Sequence, residues 1–159
     1  MDAKEIGLKE REVKPIVDHL NDLLANYHIH YQKLRGCHWN VKGGHFFTLH
    51  VKFEELYSNA QQTIDDLAER ILTLGKPPYS TFSDYIKVSS LQEINTVGMN
   101  DTDMVLAIMD DFTKLIDMER ELMVLTDAAG DDGTNDLVNS FMQFKEKNNW
   151  MLRSFCGKN

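Results

Sequence analysis

Two residue pairs, His50 with Glu54 and Asp65 with Glu69, limit how this chain can fold and assemble. Each pair is spaced i, i+4 within one helical stretch, so each sets two metal-ligand side chains on a single helical face. His50 and Asp65 are fifteen residues apart, which is roughly 22 Å along a helix axis. No small metal site within one chain can take both pairs. Two copies of the helix, antiparallel across a two-fold axis near Ser58–Ala60, can do so. Each copy's first pair then faces the other's second pair. The spacing predicts metal sites shared between subunits.

The chain of 159 residues reads as a single domain over 1–159, with a short N-terminal tail at 1–14. Hydrophobic residues at 42% and charged residues at 26% give a globular rather than a disordered balance. No uncharged apolar run reaches the ~18 residues that a membrane span needs. The first ten residues carry charges where a signal peptide needs an apolar core, so a cytoplasmic location, or one beside the nucleoid, is expected. Cys37 and Cys156 are too few for a disulfide framework or a thiolate metal site. A net charge of -8 disfavours bulk attraction to nucleic acid and favours cations. In the tail, Lys4, Lys9, Arg11 and Lys14 balance Asp2, Glu5, Glu10 and Glu12, so DNA would be bound only through bridging divalent ions, if at all.

Four long helical stretches are expected, an all-α four-helix bundle. The first starts near Pro15, a favourable first helical residue, and runs to Trp39 with apolar positions such as Ile16, Leu20, Leu23 and Leu34 at helical spacing. Gly36 inside it marks a close backbone approach or an approaching helix end. A glycine turn at residues 40–44 leads into a second helix from Phe46 to Leu74, closing an antiparallel hairpin. The 26-residue connection at 75–100 is too long for a bundle loop and fits a crossover with a short helix near residues 81–87. The third helix follows the Asn100–Asp103 cap region to Gly130. The fourth follows residues 131–134 and carries Leu137, Phe141, Phe144, Met151, Leu152 and Phe155 as its stripe. No strand-like alternation is present.

The hairpin can bring His38, at the end of the first helix, beside His50. His38, His50 and Glu54 then make a two-histidine, one-carboxylate group, and Asp65 and Glu69 of a neighbour add two carboxylates. Nitrogen and carboxylate donors without thiolate suit Fe(II), Zn(II) or Mn(II). Either pair alone is an ordinary solvated helix face; the hairpin, the residue types and the spacing together favour a metal centre. The Glu-x-x-His pattern of intrasubunit di-iron bundles is absent. His19, His28, His30 and His45 lack a carboxylate at metal spacing and read as surface or half-buried helix residues.

His38-Trp39-Asn40-Val41-Lys42-Gly43, Phe47-x-x-His50-x-x-x-Glu54 and Asp65-x-x-Ala68-Glu69-Arg70 together resemble the signature of Dps proteins, the mini-ferritins. The resemblance implies a ferritin-like bundle assembled as a hollow homododecamer with ferroxidase centres at dimer interfaces. Such centres oxidise Fe(II) to Fe(III) with hydrogen peroxide or dioxygen, store ferric mineral inside and protect against oxidative stress. Carried over by position, His38, His50 and Glu54 are ligands from one subunit and Asp65 and Glu69 come from its partner. Glu54 stands where many members have Asp. Trp39 matches the aromatic beside the centre. Asp127, Asp131, Asp132 and Asp136 fall in the segment that lines a three-fold pore in the family, although helix capping also explains acids there. A DNA-compacting architectural protein with little ferroxidase activity is the alternative. A third possibility is an oxygenase using His38, His50 and Glu54 as a facial triad.

Overall fold

The computed structural model describes residues 3–157. After a 3-10 turn at Ala3–Ile6 come α1 (Glu10–Asn40), α2 (Phe46–Thr73), α3 (Phe82–Val88), α4 (Asp101–Ala129) and α5 (Asp132–Phe155). The four long helices form the bundle and α3 sits in the crossover. No strand occurs among the described residues. Leu20, Leu23 and Leu24 of α1, Phe53, Leu67 and Ile71 of α2, Ile108, Phe112 and Leu115 of α4, and Val138 and Leu152 of α5 fill the core.

α1 begins five residues before Pro15, which therefore lies inside the helix rather than at its start. Glu10 and Glu12 in the first turn complement the helix dipole. Pro15 removes one backbone bond near the start of the helix, on an exposed face, and the helix continues through it. Much of the expected N-terminal tail is thus helical, and Ala3 is buried. Residues 1–2 and 158–159 of the sequence lie outside the described residues. Met151, expected in the core stripe of α5, faces outward instead.

The crossover is long because α2 and α4 start at the same end of the bundle, where His45 Nδ1 lies 2.7 Å from Asp101 Oδ2. The chain must return the full bundle length, and α1 supplies its fastenings. Asn21 Oδ1 accepts from Tyr79 N at 2.8 Å, and Asn26 Oδ1 accepts from Leu91 N at 2.9 Å. Farther along, Asn40 Nδ2 donates to Thr96 Oγ1 at 2.9 Å. Gly36 explains itself here: a Cβ at this position would stand 3.0 Å from Thr96 Oγ1. α4 is capped by the Asn100 side chain at one end and by Gly130, with φ 68°, at the other.

Two polar clusters are buried between α1, α4 and α5. In one, Asp111 accepts from Lys33 Nζ at 2.6 Å and lies 3.0 Å from His30 Nδ1. In the other, Glu119 Oε1 accepts from Lys145 Nζ at 2.6 Å and from Tyr27 Oη at 3.0 Å. His30 is therefore fully buried and paired, not a surface or half-buried residue. Its partner is on another helix, invisible to local spacing.

Burial pushes the His30 imidazole below its usual value. Burial alone would raise the Asp111 carboxyl, but the hydrogen bonds and charges of His30 and Lys33 outweigh it and hold the group below the usual carboxylate range. Both shifts have the same sign: the unfolded chain takes up protons first as pH falls. Stability from His30 should be complete at alkaline pH and decline as pH drops below about 6.5. The contribution of Asp111 should be lost at lower pH, beneath the carboxylate range. Urea midpoints across pH should show this, with His30→Gln removing the upper part of the decline.

Candidate metal centre

The turn between α1 and α2 brings His38 and His50 face to face. Their rings stack at 3.8 Å with an interplanar angle of 19°. Each ring is tied to the other's backbone: His38 Nδ1 donates to His50 O at 2.7 Å, and His50 Nδ1 donates to His38 O at 2.8 Å. His38 O lies in the last turn of α1, where carbonyls lack helical acceptors' usual partners, so the bond also caps that helix.

The reciprocal bonds decide the chemistry of the pair. A carbonyl only accepts, so each Nδ1 carries a proton, and Nε2 is the nitrogen of each ring left to offer a lone pair to a metal. Metal-ligating histidines are held in this way, with one nitrogen donating to a carbonyl while the other faces the ion. Phe46 stacks on His50 at 4.9 Å, and Tyr57 meets His38 edge-on at 5.3 Å. These contacts fix the ring planes.

Glu54 is exposed one turn beyond His50 on α2, and Asp65 and Glu69 are exposed farther down the same helix. Among the described residues, no three His, Cys, Asp or Glu side chains of the chain gather into a metal-holding group. The structure thus joins His38 to His50, but it gathers neither Glu54 nor Asp65 nor Glu69 of the same chain with them. Asp66 is half-buried and accepts from Gln62 Nε2 at 2.9 Å. The donors present, two imidazoles and carboxylates, fit Fe(II) or Zn(II) in type.

Trp39, next to His38 in sequence, lies about 100° around the helix from it. It is 57% exposed, and its ring is covered by the Arg35 guanidinium at 4.6 Å. The aromatic ring in contact with His38 is that of Tyr57. The sequence did not single out Tyr57, although its i+7 spacing from His50 puts both on one face.

The four acids at the α4–α5 corner divide into two kinds. Asp131 is buried; it caps α5 by accepting from Thr134 N at 3.0 Å and pairs with Arg70 Nη2 at 2.6 Å. Arg70 also donates to Thr134 Oγ1 at 2.8 Å. Gly133 leaves room for that guanidinium, which a Cβ would meet at 3.1 Å. Asp127, Asp132 and Asp136 are exposed. The capping role expected for one of these acids falls to Asp131.

Fold and sequence both define a ferritin-like protein, a family that matches residues 17–159. General stress protein 20U of Bacillus subtilis is 40% identical over 144 residues, 89% of this chain and 97% of that protein. DNA protection during starvation protein 2 of Bacillus anthracis is 39% identical over 145 residues, covering 91% of this chain and 99% of the relative. The crystal structure of the Dps protein from Vibrio cholerae superposes with a TM-score of 0.92 at 38% identity, covering 95% of this chain and 94% of that one. That structure is described as a member of a broad superfamily of ferritin-like diiron-carboxylate proteins. The chain belongs to the Dps family.

Asp131 joins two elements, so its loss should be felt at both. Asp131→Ala should remove the α5 cap and leave Arg70 unpaired, lowering stability by about 2–4 kcal/mol. Urea unfolding of the variant beside Asp132→Ala, which should change little, checks the assignment.

Proposed function

We propose that this protein is a ferroxidase that oxidises Fe(II) with hydrogen peroxide, or with dioxygen, at centres shared between subunits. It stores the ferric product inside a hollow dodecamer and so protects a cytoplasm against oxidative damage. The observation that carries the reading is the His38–His50 pair, whose Nδ1–H groups are committed to carbonyls while both Nε2 atoms stay free. Glu54 completes one subunit's half of the site, and Asp65 and Glu69 of a second copy supply the other half. Phe47, one turn before His50 on the same face, is 83% exposed, an apolar surface that a second copy would cover.

Two Fe(II) held together deliver two electrons to one hydrogen peroxide, which takes up two protons and leaves as two waters. No hydroxyl radical is released on that route. The carboxylates neutralise the growing positive charge as Fe(II) becomes Fe(III), and the imidazoles keep both ions in place. Three copies of exposed Asp127, Asp132 and Asp136 around a three-fold axis would focus a negative field on incoming Fe(II). Asp131 takes no part there, since Arg70 holds it.

Relatives named for DNA protection fit this reading without direct DNA contact. Removing Fe(II) and peroxide together protects any nearby DNA. A net charge of -8 per chain disfavours phosphate binding.

His50→Ala should leave the assembled shell intact and slow Fe(II) oxidation by at least ~10–100-fold, the loss seen even for outer partners of metal ligands. Stopped-flow absorbance with peroxide, beside sizing, measures both. Mixing subunits tests the sharing itself. His50→Ala and Asp65→Ala homodimers should each be inactive, whereas a random mixture should recover about a quarter of wild-type sites, because each mixed dimer rebuilds one intact site. No recovery on mixing refutes a site shared across the two-fold axis.

A further inference from the structure

The sequence lacks the Glu-x-x-His pattern with which bundles hold metal ions between facing helices, yet the centre of this bundle is built around a cation. Lys145 of α5 is 2% exposed. Its ammonium donates to Tyr27 Oη of α1 at 2.5 Å, to Glu119 Oε1 of α4 at 2.6 Å and to Phe141 O of its own helix at 2.8 Å. An ammonium has three N–H donors, so all are taken. Thr63 of α2, also buried, hydrogen-bonds to the same Tyr27 hydroxyl. Each of the four long helices thus places one polar side chain at this level.

We propose that this cluster is an oxygen-lined cation site whose permanent occupant is the Lys145 ammonium, and that with the lysine removed it takes a hard divalent ion. The site stands independently of the ferroxidase reading. Three features set it apart from an ordinary buried ion pair. Glu119 Oε2 is buried with no hydrogen-bond partner among the described residues, a spare carboxylate oxygen beside the cation. The oxygens 2.5–2.8 Å from the nitrogen stand close to the roughly 2.3–2.6 Å at which Ca(II) holds its oxygens. Finally, Glu119 and Tyr27 are two acids, and two ionised oxygens match a divalent charge. Burial and the Glu119 charge push the Tyr27 phenol well above its usual value, but a bound metal ion favours the phenolate and opposes that shift.

Burial penalises both ions of the pair, pushing the Glu119 carboxyl up and the Lys145 amine down. Each charge persists in the core only beside the other. A Glu119 carboxylate without its cation would take up a proton or draw an ion from solvent. A cation tethered to the chain cannot exchange, which no free ion in the same place could match. Lys145 therefore closes the interior of each subunit to metal. On the ferroxidase reading, this confines Fe(II) to the centres between subunits. The donors differ in the same sense: the buried cluster offers oxygen alone, whereas the shared centre adds two imidazole nitrogens.

Mn(II) tests the site on the assembled protein, because it suits oxygen donors and is counted by loss of its free-ion paramagnetic resonance signal. His50→Ala serves as the parent, so that the shared centre does not compete. Adding Lys145→Ala should raise the Mn(II) bound by one ion per chain, and adding Glu119→Gln as well should abolish that extra ion. Should the Lys145→Ala chain not fold in metal-free buffer, Mn(II) should restore folding, read by far-ultraviolet circular dichroism. The site is refuted by a folded Lys145→Ala protein with no extra ion, by an extra ion that survives Glu119→Gln, or by an unfolded chain that Mn(II) does not restore. Both measurements read binding and folding rather than oxidation. A wild-type protein that fails to oxidise Fe(II) would sink the ferroxidase reading and leave this result standing.

Discussion

Two short hydrogen bonds, each from an imidazole to the other histidine's carbonyl, hold together the end of the bundle on which the rest depends. They close the α1–α2 corner, cap the last turn of α1 and select one tautomer for both rings. A hairpin turn by itself would set the helices antiparallel but leave the rings free to rotate. With both Nδ1 atoms engaged, the rings stack and their Nε2 lone pairs have fixed directions. The same corner also sets the direction of α2, and hence where its second pair of acids lies. On the proposed reading, local hydrogen bonding and assembly geometry are therefore coupled through one helix.

Much of this was legible in the sequence because helices write their rules locally. The apolar period located the long helices, and Asn100, Gly130 and the glycine turn located their ends. The ligand pairs showed themselves by i, i+4 spacing. Features that depend on a distant partner were not legible. Pro15 read as a helix start, since nothing nearby says that the helix already runs through residues 10–14. His30 read as half-buried because its partner Asp111 is 81 residues away. Asp131 could not be separated from Asp132 without Arg70, which approaches from another helix. Tyr57 did not stand out because a ring that packs on an imidazole has the same period as one that packs on leucine.

The buried ions show a different constraint. Burying charge costs several kcal/mol per ion unless partners answer it, and this bundle buries Lys33, Asp111, Glu119 and Lys145 together. Apolar stripes alone would tolerate a slip of one helical turn between α1 and α4. Such a slip would part Lys33 from Asp111 and Tyr27 from Glu119 at the same time, leaving uncompensated charges in the core. The polar clusters thus act against misregister, and register is what keeps His38 at the height of α2's first turns.

On the proposed reading, splitting the metal centre between subunits also makes its chemistry conditional on assembly. On that reading, a single chain brings only His38, His50 and Glu54, an incomplete half of the centre. One Fe(II) so held, exposed to peroxide, would release a hydroxyl radical by one-electron transfer. On the proposed reading, the carboxylates that retain a second ion arrive only with the partner, in the same step that builds the shell around the product. Oxidation and containment then begin together.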